Sequence, residues 1–148
     1  MKLWQHSLDE LCPNKSWEVR PEITERQPFD VNSIDDIAGH PEYGLATLPD
    51  DPDRAHQVLV HWESGEPIAV GYYVDDFIYV EKGHRNNGVP EELFLACLAH
   101  RAGPKVSDNF TAKGYRLLQK AHKLAVERAL AASEEVRDEV RNQVYPDL

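Results

Sequence analysis

The chain has 148 residues, enough for one domain of ordinary size, and at 41% hydrophobic and 28% charged it is not a wholesale disordered sequence. Its 16 basic and 26 acidic side chains leave a net charge of −10, which excludes a general nucleic-acid binder and a protein drawn to anionic membrane surfaces. Cys12 and Cys97 are too few for a disulfide framework, no apolar leader follows Met1, and the run Leu93 to Ala99 is too short to span a bilayer. A soluble, reduced, cytoplasmic protein is the expectation.

Residues 1–57 carry five basic and twelve acidic groups, and six of the ten prolines fall before residue 53. This acidic, Pro-rich stretch cannot hold a long helix. The short elements predicted in it are a strand near Trp17-Glu18-Val19 and a helical turn over Ser33–Ala38. Ser33 would cap that turn, Asp35 and Asp36 would favour its first positions, and Gly39 would close it. Next come three strands. Gln57–Trp62 is β-branched and aromatic, Glu63–Pro67 has turn chemistry, Ile68–Val74 is a second strand, and Phe77–Val80 is a third after the break at Asp75-Asp76. After residue 88 the period changes to that of a helix. Leu93, Phe94, Cys97, Leu98 and Arg101 share one face of a helix starting at Pro90 and ending by Gly103-Pro104. Lys105-Val106-Ser107 is the remaining strand candidate. The last third reads as helix, with Leu117, Leu118, Ala121, Leu124, Ala125 and Ala129 as its buried stripe and a further helix, or the continuation of the same one, from Ser133 to Val144 stopped by Pro146. The expected fold is α+β, a single domain over 1–148. It divides into an acidic part (1–57), a sheet and loop core (58–112) and a helical part (113–148).

The chemistry concentrates at one junction, where the strand Phe77–Val80 enters the loop Glu81–Val89 and then a helix. A glycine-bearing loop at a helix N-terminus directs backbone N–H groups and the positive end of the helix dipole at one point, which suits a phosphate. Asn86-Asn87-Gly88 is equally ordinary turn chemistry feeding a helix. The seven histidines show no metal-ligand spacing on a helix or with cysteine, so no metal site is expected. Cys97 reads as packing, and Cys12 lacks a basic partner that would activate it.

The order hairpin, strand, Arg85-Asn86-Asn87-Gly88-Val89-Pro90, helix resembles the cofactor-binding core of the GNAT superfamily of acyl-CoA-dependent N-acetyltransferases. Arg85 and Gly88 match its signature, and Glu92-Leu93 stand where the family often has an acidic residue followed by Leu. The resemblance covers about residues 58–101. It implies a mixed, mostly antiparallel central sheet flanked by helices, and an acetyl group passing directly from acetyl-CoA to an amine on a small molecule or protein. It also implies that Arg85, Asn86, Asn87, Gly88 and Val89 hold the pyrophosphate while backbone groups of Ile78 and Val80 hold the pantetheine arm. Asp76 and Glu81, with Asp75, would be the carboxylates available as base, and Tyr115 would protonate the leaving thiolate. A homodimer is compatible with this reading. Two departures motivate an alternative: Pro90 has no N–H to give a phosphate, and Glu91 sets a carboxylate beside the anion. That alternative is a non-catalytic acidic module of the same fold that contacts a basic protein. A DNA-mimicking inhibitor rests on the net charge alone.

Overall fold

The computed structural model describes residues 1–23, 25–51, 55–75, 77–101, 103, 105–146 and 148. They form two compact units: Pro21–His100, and Met1–Arg20 together with Arg101–Leu148.

The unit Pro21–His100 is built on a five-stranded antiparallel meander. Its strands are β2 (Asn32–Ile37), β3 (His40–Thr47), β4 (Gln57–Glu63), β5 (Glu66–Val74) and β6 (Phe77–Val80), adjacent in chain order. β4 and β5 are joined by Ser64-Gly65, both at positive φ (52° and 80°), the two-residue turn whose twist matches that of the flanking strands. Val58, Leu59 and Val60 have no exposed surface, so both faces of the central strand are covered. On one face Ala46, Val58, Val60 and Tyr72 form a cluster under Phe29, Val31, Ile34 and Tyr79. The other face receives helix α2 (Val89–Leu98), which buries Leu93, Phe94, Cys97 and Leu98 and sets Phe94 edge-on to Tyr73 with ring centroids 5.7 Å apart. The three predicted strands and the helix on their face are therefore observed.

The predicted helical turn at Ser33–Ala38 is instead strand β2, paired with β3. Six residues are too few to hold a helix without packing, and here packing selects the extended form, with Ile34 on the apolar cluster. Ser33 lies at φ 44° beside an irregularity in the register and Gly39 at φ 81° in the β2–β3 turn, so both supposed helix signals serve the hairpin.

Gly71 of β5 lies opposite Val80 of β6. A Cβ there would meet the Tyr79 carbonyl oxygen at 2.8 Å and Val80 Cα at 3.3 Å, so any side chain must push β6 off the sheet. Gly71→Ala should cost about 1–3 kcal/mol of stability, read from the shift in urea midpoint. A midpoint unchanged within error would show that β6 is free to move aside.

In the other unit, α1 (Leu8–Leu11) starts at a capping box between Ser7 and Glu10. β1 (Ser16–Trp17) pairs in parallel with β7 (Asn109–Phe110). The predicted strand at 105–107 is thus displaced by a few residues; Val106 donates its N–H to the Leu11 carbonyl instead. Helix α3 (Ala112–Ala131) is capped by Thr111, whose hydroxyl accepts from the Gly114 N–H at 3.0 Å. It ends where Ser133 turns to φ 58° and the Glu134 N–H reaches back to the Ala129 carbonyl, a six-to-one closure. The predicted helix Ser133–Val144 reduces to the single turn α4 (Asp138–Arg141). Val136 and Val140 then pack on Val126, Ala129 and Trp4. Among the described residues, no helix is long and apolar enough to cross a membrane.

Candidate functional site

The loop after β6 is shaped by its own polar groups. The Glu81 N–H bonds the Val70 carbonyl at 2.7 Å, a 3-10 turn spans Lys82–His84, and Asn86 and Gly88 both take positive φ (63° and 84°) before α2 begins. The side-chain oxygen of Asn87 accepts from the Val89 N–H at 3.1 Å, and Pro90 has no N–H to offer. One early donor of α2 is therefore occupied and another is missing. Arg85 turns back toward β6: its Nε donates to the Val80 carbonyl at 2.6 Å, and its terminal nitrogen pairs with Glu22 at 2.8 Å. Asn86, Asn87 and Gly88 are exposed, while Ile78 and Val80 pair with Tyr73 and Gly71 on the last strand of the sheet.

The acid–base residues expected from the sequence have different surroundings. Asp76 lies outside the described residues. Glu81 is held by Arg26 through bonds of 3.0 and 2.7 Å, and that guanidinium keeps its carboxyl below the usual range, which suits an ion pair better than a base. Tyr115 belongs to the other unit, where it is buried against Trp17 and Phe110 and its hydroxyl accepts from Lys15 at 3.2 Å. Both thiols are buried, and desolvation raises their pKa values, as expected of packing cysteines.

A different constellation lies beside the loop. Tyr43 on β3 and His61 on β4 are directly opposite each other, with ring centroids 4.9 Å apart. The loop adds His84, whose ring lies 4.8 Å from that of His61 and whose Nδ1 is 2.8 Å from the Tyr43 hydroxyl. Asn87 donates to the same hydroxyl at 3.2 Å. Glu63, two residues beyond His61 and therefore on the same face of the strand, brings Oε1 to 3.5 Å from His61 Nδ1, and Arg26 stands 3.5 Å from its Oε2. Nδ1 of His61 is buried without a hydrogen-bond partner. Burial first, then the neighbouring His61, lowers the pKa of His84, so its imidazole is neutral at pH 7.

Sequence reasoning passed over this cluster because it sought histidines at helical or Cys–His spacing. The available signal was His61-x-Glu63 on a strand, where a spacing of two projects both side chains to one face. The 23 positions separating His61 from His84 carried none. Comparison of the chain with family models, with curated proteins and with solved structures returned no match.

Proposed function

We propose that this protein is an acidic α+β interaction module that binds a basic protein partner through the unit Pro21–His100. The observation that supports this is the distribution of charge. Residues 21–100 carry sixteen acidic and four basic side chains, net −12, while the remainder of the chain is net +2. Two of those four cations, Arg26 and Arg85, are already engaged by Glu81, Glu63 and Glu22. Asp35 and Asp36 are exposed on β2, the end strand of the sheet, and add to a field that would steer and select a cationic surface.

On this reading, association of the full chain with a Lys/Arg-rich probe peptide should weaken steeply with salt. Asp35→Lys combined with Asp36→Lys should slow it by at least about tenfold, as stopped-flow at low ionic strength would record. Association indifferent to both salt and charge reversal would overturn it. Transfer of an acetyl group is the second reading, favoured by β6 being an end strand that leads through a loop into a helix. Calorimetric titration with acetyl-CoA separates the two. Heat at millimolar ligand, reduced by Arg85→Ala and increased by Glu91→Thr, would favour the transferase over the module.

A further inference from the structure

We propose that His61, Glu63 and His84 form a binding site for one divalent transition-metal ion. One ligand atom from each of the three residues falls within a sphere in which no pair is more than 4.8 Å apart. Ligand atoms around a tetrahedral zinc ion, with bonds of about 2.0–2.2 Å, stand roughly 3.4 Å from one another. The 3.5 Å between His61 Nδ1 and Glu63 Oε1 is already that spacing. Bringing the His84 ligand atom from within 4.8 Å to that spacing takes a side-chain rotation of about an ångström at its tip, small enough for the Tyr43 hydroxyl to follow.

Two further observations point to a ligand. His61 Nδ1 is buried and makes no hydrogen bond, with Glu63 Oε1 beside it at 3.5 Å, a state that costs free energy unless an ion or a proton joins the two. The other two ligands are held from behind. Tyr43, itself fixed by Asn87, engages Nδ1 of His84 and leaves the second ring nitrogen for an ion, and Arg26 takes the outer oxygen of Glu63 while Oε1 faces His61. That division, with one atom to the metal and one to an outer partner, is how ligating imidazoles and carboxylates are usually oriented. Two imidazoles and one carboxylate suit zinc and its first-row neighbours, not magnesium or calcium, and three protein ligands leave a coordination position for water or a partner's side chain. The inference is independent of the acidic-module reading, because it concerns three particular side chains and not the net charge.

The test uses the full chain, stripped with EDTA and desalted. Zinc is titrated calorimetrically, and the seven histidine Cε1–H resonances are followed by NMR in the wild type, which requires no variant to fold. One equivalent should bind, moving the His61 and His84 resonances and leaving those of exposed His100 and buried His122 in place. Glu63→Gln and His84→Ala should each weaken zinc by at least about tenfold, the lower bound for loss of even an outer-shell partner, and Tyr43→Phe by about 10- to 100-fold. His100→Ala should change nothing. Absence of stoichiometric binding would overturn the proposal. So would binding that moves other histidines and survives His84→Ala.

Discussion

Leu93→Ala should lower the free energy of unfolding by about 2–5 kcal/mol, the range for truncating a buried leucine where neighbours relax only partly. Leu93 has no exposed surface and stands on the face of α2 that lies on β3, β4 and β5. Removing three carbons there takes contacts from the helix and from the sheet at once, because α2 covers the face of β4 that carries Leu59. Leu95, two positions on, is only half-buried, and its alanine variant should cost clearly less. Urea denaturation of both variants checks the ordering. Equal effects would mean that α2 does not present the face on which the whole sheet unit depends.

The same helix shows why this part of the fold was legible in the sequence. Its apolar positions recur at three and four residues immediately after strands that alternate or run continuously apolar, and no tertiary information is needed to see the change. Ser33–Ala38, with Gly39 after it, shows the opposite case. Its cap residue, acids and terminal glycine all favour a helical turn, yet a six-residue segment follows its neighbours, and the neighbour is an open strand edge on β3. On α3 the helix itself was legible but its orientation was not. Leu117 and Leu124 were expected inside and are only half-buried, while Gln119 and His122 have no exposed surface. Hydrophobicity alone places the stripe off at His122, whose two ring nitrogens find partners within the core, whereas both side-chain polar atoms of Gln119 are buried without a hydrogen bond.

The site was less legible than the fold, for a similar reason. Strand, loop and helix could be read at residues 77–98, but whether the loop's donors face outward depends on side chains. Arg85 reaches Glu22 and the Asn87 side chain accepts from the Val89 N–H, and a partner 63 positions away leaves no local trace. The histidine cluster depends on the register that sets Tyr43 opposite His61, which is fixed only once β3 and β4 pair.

Replacing His122 should cost nearly as much as truncating Leu93, and it should also alter how stability varies with pH. Nε2 of His122 lies 2.7 Å from the His6 carbonyl and Nδ1 lies 2.6 Å from the Tyr145 hydroxyl. A carbonyl only accepts, so the proton is assigned to Nε2, and Nδ1 accepts from Tyr145, giving a neutral ring with both nitrogens satisfied. Burial holds this imidazole below its ordinary pKa, the His6 carbonyl opposing it in part, and pushes the Tyr145 hydroxyl up to about 12 so that it remains a donor. The unfolded chain takes up a proton on His122 near pH 6.5, about the ordinary histidine value, whereas the folded chain resists until lower pH. Stability is therefore complete above about pH 6.5 and is lost progressively as pH falls below it toward the folded value. His84, lowered by burial and by His61, contributes in the same direction. The urea midpoint of the wild type should accordingly fall between pH 7 and pH 5. His122→Ala should be destabilised at pH 7 by roughly 1–3 kcal/mol for the hydroxyl and carbonyl it orphans, with lost packing adding to that. It should also show a shallower pH dependence, because the contribution of His122 to the slope is gone. A variant as stable as the wild type at pH 7, or one with an unchanged slope, would mean that His122 is not a neutral core residue hydrogen-bonded at both ring nitrogens.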